Sequence, residues 1–207
     1  MLDVIAPPRK NTARIAKIRV HQLTVAPQVR SVLSNEVTTL MSYHAPFVKD
    51  IITALKFEQS GRASQLCGRI LADYLEEEIQ SARTFSPRQI LIIPMPLHAS
   101  RVRERGFNQM ERICNTLPMH LRDGTSARIV HNTLVRTRAT TPQAQLRRAA
   151  RLTNLKNAFT VNNPAALYDT HVYLIDDVTT TGATLSEAAK TLRQTRCTVT
   201  CIALSRA

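Results

Sequence analysis

The stretch from Val172 to Thr184 reads VYLIDDVTTTGAT. The apolar run from His171 to Ile175 that leads it is the pattern of a strand buried on both faces, as parallel sheets require. Two acids and a Thr/Gly turn follow. A helix is expected next, from about Thr184 to Gln194, with Leu185, Ala188, Ala189 and Leu192 inward. Strand, polar turn and helix in that order form the repeating unit of an α/β fold, and the neighbouring sequence repeats it.

Upstream, Gln89 to Pro94 is a second continuous apolar run, ended by Pro94 and followed by a loop stiffened by Pro96. A helical stretch then runs through Phe107, Met110, Ile113 and Leu117. Ala127 to Val135 alternates β-branched residues as a strand does, and Ala158 to Val161 and Thr198 to Leu204 are further strands. Before them, Val48, Ile51, Ile52 and Leu55 share a helical stripe closed by Phe57. After Gly61, a second amphipathic helix carries Leu66, Ile70, Leu71, Tyr74 and Leu75, with Glu76, Glu77 and Glu78 on its wet side. The expected fold is α/β, a mainly parallel sheet flanked by helices, with right-handed crossovers. Residues 1–45 show no sustained period and read as an N-terminal arm with one short helix, leaving 46–207 as the folded domain. Ligands of such sheets sit outside the carboxyl ends of the strands.

The Val172–Thr184 turn is built for a phosphorylated sugar. Backbone N–H groups, the hydroxyls of Thr180, Thr181 and Thr184, and a helix N-terminus together suit a phosphate dianion, while Gly182 permits close approach. Asp176 and Asp177 would repel that phosphate. Two carboxylates some 5 Å apart repel by about 3 kcal/mol at an effective dielectric near 20, unless donors or a cation stand between them. A ribose diol supplies the donors, and Mg²⁺ a cation. Helix capping by one Asp and turn formation by one Thr would leave the second Asp unexplained.

Composition narrows the class. The chain has 207 residues, 43% hydrophobic and 21% charged, which excludes collagen-like, disordered and disulfide-stapled proteins. Its apolar runs fall far short of the roughly 20 residues of a spanning helix, so no membrane insertion is expected. Met1 to Val20 is basic without the apolar block of a secretory signal, which points to the cytoplasm. Cys67, Cys114, Cys197 and Cys201 include no C-x-x-C pair and read as reduced, buried thiols without zinc. The net charge is +13, and 22 of the 28 basic residues are arginine. From Arg88 to Arg151 there are 12 Arg and no Lys, against Glu104, Glu111 and Asp123. Arginine grips phosphate with a two-pronged fork, so this stretch suggests phosphorylated ligands, nucleic acid or both, with a solvated basic surface as the plain alternative.

The two acids followed by T-T-G-x-T resemble the phosphoribosyl-pyrophosphate (PRPP) signature of type I phosphoribosyltransferases. That resemblance implies that Asp176 and Asp177 hold the ribose hydroxyls, and that Thr179, Thr180, Thr181, Gly182, Ala183 and Thr184, after Val178, hold the 5′-phosphate. Two more segments, Pro94-Met-Pro-Leu-His98 through Arg105-Gly-Phe-Asn-Gln109, and Leu134-Val-Arg-x-Arg-x-Thr-x-Pro-Gln143 followed by Arg151 and Asn154 to Phe159, are similar to the ComF family. That family groups predicted phosphoribosyltransferases with proteins of natural competence and growth on DNA. The likeness runs from about Tyr43 to the final Ala207. Family members commonly begin with a four-cysteine zinc ribbon, and here no cysteine precedes Cys67.

By position in the family pattern, Pro94, Met95 and Pro96 match the pyrophosphate loop, helped by Arg101 and Arg105 because prolines lack amide donors. Arg136 to Gln143 matches a flexible hood, with Arg138, Thr141 and Gln143 as contacts and Arg138 as a catalytic charge beside Asp176 and Asp177. The implied cofactor is Mg²⁺ carried by PRPP. Arg103, Arg136, Arg147 and Arg148 are the candidates for nucleic acid. His98 and His171 read as structural donors. The implied activity is phosphoribosyl transfer to a nitrogen acceptor, linked to DNA uptake or use. The alternative is a non-catalytic PRPP sensor or single-stranded DNA binder acting with DNA-uptake proteins.

Overall fold

The computed structural model describes residues 10–32, 35–138 and 157–207. Its elements in chain order are α1 (Lys10–Ile15), β1 (Gln28–Val32), β2 (Asn35–Ser42), α2 (Val48–Phe57), α3 (Gly61–Phe85), β3 (Ile90–Pro94), α4 (Ala99–Arg105), α5 (Gln109–Cys114), β4 (Arg128–Ile129), β5 (Leu134–Arg136), β6 (Phe159–Val161), β7 (His171–Thr179), α6 (Ala183–Arg193) and β8 (Thr198–Arg206). Among the described residues the main sheet has six strands in the order β1-β2-β8-β7-β3-β4, and β5 and β6 form a separate antiparallel ribbon. Every pairing in the main sheet is parallel except β1 with β2. The expected α/β class and mainly parallel sheet are what the structure has.

The sheet separates two cores, and strand periodicity sorts the residues between them. On one side Ile90, Ile92, Tyr173, Ile175, Ile202 and Leu204 pack against α1, α2, α3 and α5 through residues such as Leu55, Leu66, Leu71 and Met110. On the other, Leu91, Ile93, Val172, Leu174, Cys201 and Ala203 meet Leu185, Ala188 and Leu192 of α6 and Leu134 and Phe159 of the ribbon. Side chains one residue apart therefore enter different layers.

Three expectations need amendment. The strand expected over His171 to Ile175 continues to Thr179, because Asp176, Val178 and Thr179 keep pairing with Ala203, Ser205 and Arg206. The acids thus lie within the strand and inherit its alternation. The run from Ala127 to Val135 is not one strand. Asn132 has φ +57, a left-handed conformation that Asn tolerates well, and it turns the chain from β4, paired with β3, to β5, paired with β6. Finally, the segment before residue 45 supplies β1 and β2 as well as a short helix. β2 is largely buried and pairs in parallel with β8, Val37 opposite Cys201.

All four cysteines are free and buried, and burial raises their thiols, Cys67 and Cys114 to about 12. No helix among the described residues is long and apolar enough to cross a membrane.

Candidate functional site

The site gathers at the carboxyl ends of β3 and β7. Asp177 points into the helical layer and is 4% exposed. Its Oδ1 lies 3.1 Å from Lys56 Nζ at the end of α2, and its Oδ2 accepts a 2.8 Å hydrogen bond from Gln109 Nε2 at the start of α5. Gln109 Oε1 in turn accepts from Arg105 Nη1 at 2.6 Å, and the Arg105 guanidinium lies 5.7 Å from the centre of the Phe57 ring. Desolvation pulls the Arg105 pKa down, and Asp177 opposes that shift.

Asp176 faces the other layer and is half-buried. Its Oδ1 accepts from the Asp177 backbone N–H at 2.9 Å. Burial first and the neighbouring Asp177 second push its carboxyl up to about 7, against the pull of that hydrogen bond, Lys56 and Arg136. The Arg136 guanidinium, half-buried over the Phe159 ring at 5.7 Å, is lowered by desolvation and raised by Asp176. β7 thus carries two unlike acids.

Beyond them the strand passes into a turn at the N-terminus of α6. Thr179 is buried, Thr180 is exposed, and Thr181 and Thr184 are half-buried at the N-terminus of α6. Thr181 Oγ1 accepts from Ala183 N at 3.4 Å. Gly182 has φ +75, and a Cβ there would stand 2.9 Å from both γ-carbons of Val32. Its permissiveness therefore serves the seating of the β1–β2 hairpin as well as the turn itself. Ser186 Oγ donates to Val32 O at 3.1 Å, and Arg193 bonds Asn35, fastening that hairpin to α6.

The loop after β3 is tied to β7 and to the start of α5. Pro94 closes the strand opposite Ile175, and Met95 is buried with its N–H given to Ile175 O at 2.8 Å. Met95 O accepts from Asn108 Nδ2 at 3.2 Å. Met95 therefore brings no spare amide donor to a ligand. Pro96 is half-buried on the wall of a cleft. Arg101 pairs with Glu104 at 2.9 Å, and Arg103 is exposed on the same short helix. Arg138 is exposed at the end of the described stretch 35–138, whereas Thr141, Gln143, Arg147, Arg148 and Arg151 lie outside the described residues, as does most of the expected hood.

A cleft of about 500 Å³ opens beside Arg136. Leu97, Val102, Phe107 and Val135 give it apolar walls, and Arg112 lies 4.7 Å over the Phe107 ring. Phe107, expected on the apolar stripe of a helical stretch, lies between α4 and α5 and is half-exposed. His98 Nδ1 accepts from Ser100 N at the start of α4. His171 sits at the opposite end of the sheet beside Thr198 and Thr200. Each ring nitrogen named here has a neighbouring Ser or Thr as its partner. Lys56 is the residue that sequence reasoning missed. Its signal was faint: a lysine ending an amphipathic helix in a chain whose cations are mostly arginine, with its partner 121 positions away.

No family model matches the chain. It is 35% identical over 153 residues, 72% of its length, to the DNA utilization protein YhgH of Escherichia coli, and covers 62% of that relative. It is 38% identical over 105 residues to competence protein F of Haemophilus influenzae, covering half of this chain and 44% of the relative. With competence protein ComFC of Bacillus subtilis it shares 32% over 111 residues, 54% of this chain and 41% of the relative. The chain spans about three fifths of the length of the DNA utilization relatives it matches.

Proposed function

The chain belongs to the ComF family, and from that premise we propose that it serves DNA uptake or utilisation as a PRPP-binding protein that transfers phosphoribosyl to a nitrogen acceptor. The observation that carries this reading is the carboxyl end of β7: a half-buried acid opposed by Arg136, followed directly by a threonine-lined turn opening α6. Thr180, Thr181, Thr184 and the backbone of Gly182 and Ala183 take the 5′-phosphate, where N–H dipoles and hydroxyls converge. Asp176 accepts from the ribose hydroxyls.

Arg136 and Arg138, with Arg101 nearby in the field of Arg136, balance the charge that gathers on pyrophosphate as it leaves. The nitrogen lone pair forms the new bond to the anomeric carbon as the carbon–oxygen bond to pyrophosphate breaks, and the nitrogen loses its proton to solvent. Mg²⁺ bound to the pyrophosphate oxygens would neutralise part of that charge.

The test is a thermal shift with PRPP and Mg²⁺, followed by pyrophosphate release against a panel of bases and amines. The shift is expected in the parent chain and is expected to vanish in Asp176→Asn. A parent chain indifferent to PRPP would end this reading. A second reading, a non-catalytic PRPP sensor or single-stranded DNA binder working with DNA-uptake proteins, is favoured by the cleft in which Arg112 lies over the Phe107 ring. Its signature is binding without turnover, and an affinity for single strands that falls steeply with salt.

A further inference from the structure

We infer that Lys56 is a positioning residue: by holding Asp177 against the helical layer, it leaves Asp176 as the acid of the pair that meets the sugar hydroxyls. This rests on the phosphoribosyl reading of the β7 turn and divides a task that the sequence motif gives to both carboxylates.

The contacts form a closed circuit. Lys56 Nζ holds Asp177 Oδ1, Gln109 Nε2 holds Oδ2, Arg105 holds Gln109, and Arg105 lies over Phe57, the residue next to Lys56. Four elements, α2, α4, α5 and β7, are tied at one point. With both oxygens engaged and its surface 4% exposed, Asp177 presents no face to a ligand. The other titratable neighbours of Asp177 are Asp176 on its own strand and the Cys67 thiol of α3, which stays protonated. Arg105 and Lys56 are therefore its cations, and Lys56 is the one in direct contact.

Such a circuit is a poor device for stability. Desolvating two charges costs about as much as their attraction returns, so an uncharged pair of similar shape would hold the layers as well. What the ion pair adds is direction. Asp177 is fixed on one side of the strand, and its backbone N–H is fixed toward Asp176 Oδ1 at 2.9 Å, which orients the acid that faces the sugar. A small misplacement of an orienting group is enough to cost about tenfold to a hundredfold in binding or rate.

The experiment measures the dissociation constants of PRPP with Mg²⁺ and of pyrophosphate with Mg²⁺ by calorimetry. It uses the full chain, Lys56→Met, and the pair variant Lys56→Met with Asp177→Asn, with melting curves to find a temperature at which each is folded. Lys56→Met is expected to weaken PRPP about tenfold or more while pyrophosphate, which has no hydroxyls, changes less than about threefold. The pair variant is expected to recover most of that loss. Unchanged PRPP affinity in folded Lys56→Met would overturn the inference, because the lysine would then be structural only. A pair variant no better than the single one would also overturn it, because Asp177 itself would then touch the ligand. Should Lys56→Met not fold, the pair variant decides: PRPP binding within about tenfold of the parent supports the inference, and a larger loss overturns it. A parent chain that binds no PRPP removes the phosphoribosyl reading and this inference together, whereas the other failures leave that reading standing.

Discussion

Asp177 and Asp176 are consecutive residues with opposite surroundings. One enters the helical layer and is met by a lysine, a glutamine and, through the glutamine, an arginine. The other enters the layer of α6 and the β5–β6 ribbon, keeps part of its surface open, and has its carboxyl pushed up by burial and by its neighbour. The contrast arises from the two-residue period of a strand that runs on past the point where a turn would have let both acids face one way. An acid whose charge is compensated belongs to the scaffold, and an acid whose charge is left partly uncompensated is available for a ligand to satisfy.

The contrast is broken most forcefully by removing the compensation. Lys56→Met leaves Asp177 charged and buried without its direct partner, and stability in urea is expected to fall by about 3 kcal/mol; a loss below about 1 kcal/mol would show that the pair is not desolvated as drawn. Next in size is Gly182→Ala. Its left-handed backbone and the 2.9 Å approach to Val32 predict a loss of about 2 kcal/mol. Val32→Ala in the same chain should return part of it, the part due to crowding.

Asp176→Asn should act in the opposite direction. Burial and the neighbouring Asp177 push the folded carboxyl up to about 7 from its ordinary 3.8, so its protonated form is favoured by folding. That favourable contribution is whole below the unfolded pKa and is lost as pH rises through the folded one. Water on its open side screens the charge, so the Asn variant is expected to be about 1 kcal/mol more stable above pH 7 and no more stable at pH 3. Equal stability at pH 8 would count against the pair being unlike. The smallest effect is expected at the far end of the sheet. Burial lowers the pKa of His171, so folding favours its neutral form, and stability is lost as pH falls below the unfolded value of 6.5. His171→Gln should remove a few tenths of a kcal/mol of that acid sensitivity while leaving the response to PRPP intact.

Much of this was legible in residue pattern. Continuous apolar runs announce β3 and β7, helical stripes announce α2 and α3, and the acids with the Thr/Gly turn point to the candidate site. The relation between the two acids was not legible, because it depends on where the strand ends, and pairing with β8 rather than local propensity decides that. β1 and β2 escaped notice because β2 is an eight-residue strand with two polar threonines buried in it, Thr38 and Thr39, so no clean alternation announces it. Lys56 and Gln109 meet Asp177 across long sequence separations, which no local spacing encodes.

The hairpin seated on Gly182 has a consequence for anyone trimming the chain. A fragment starting at residue 46 would strip β1 and β2 from the sheet, turning the long β8 into a raw margin with unsatisfied amides, ready to stack on its own kind. It would also uncover the bend that Val32 shields and release the tether from Ser186. Clumping and a slack anion cradle should arrive together, from one cut made some 140 positions upstream of the turn they damage.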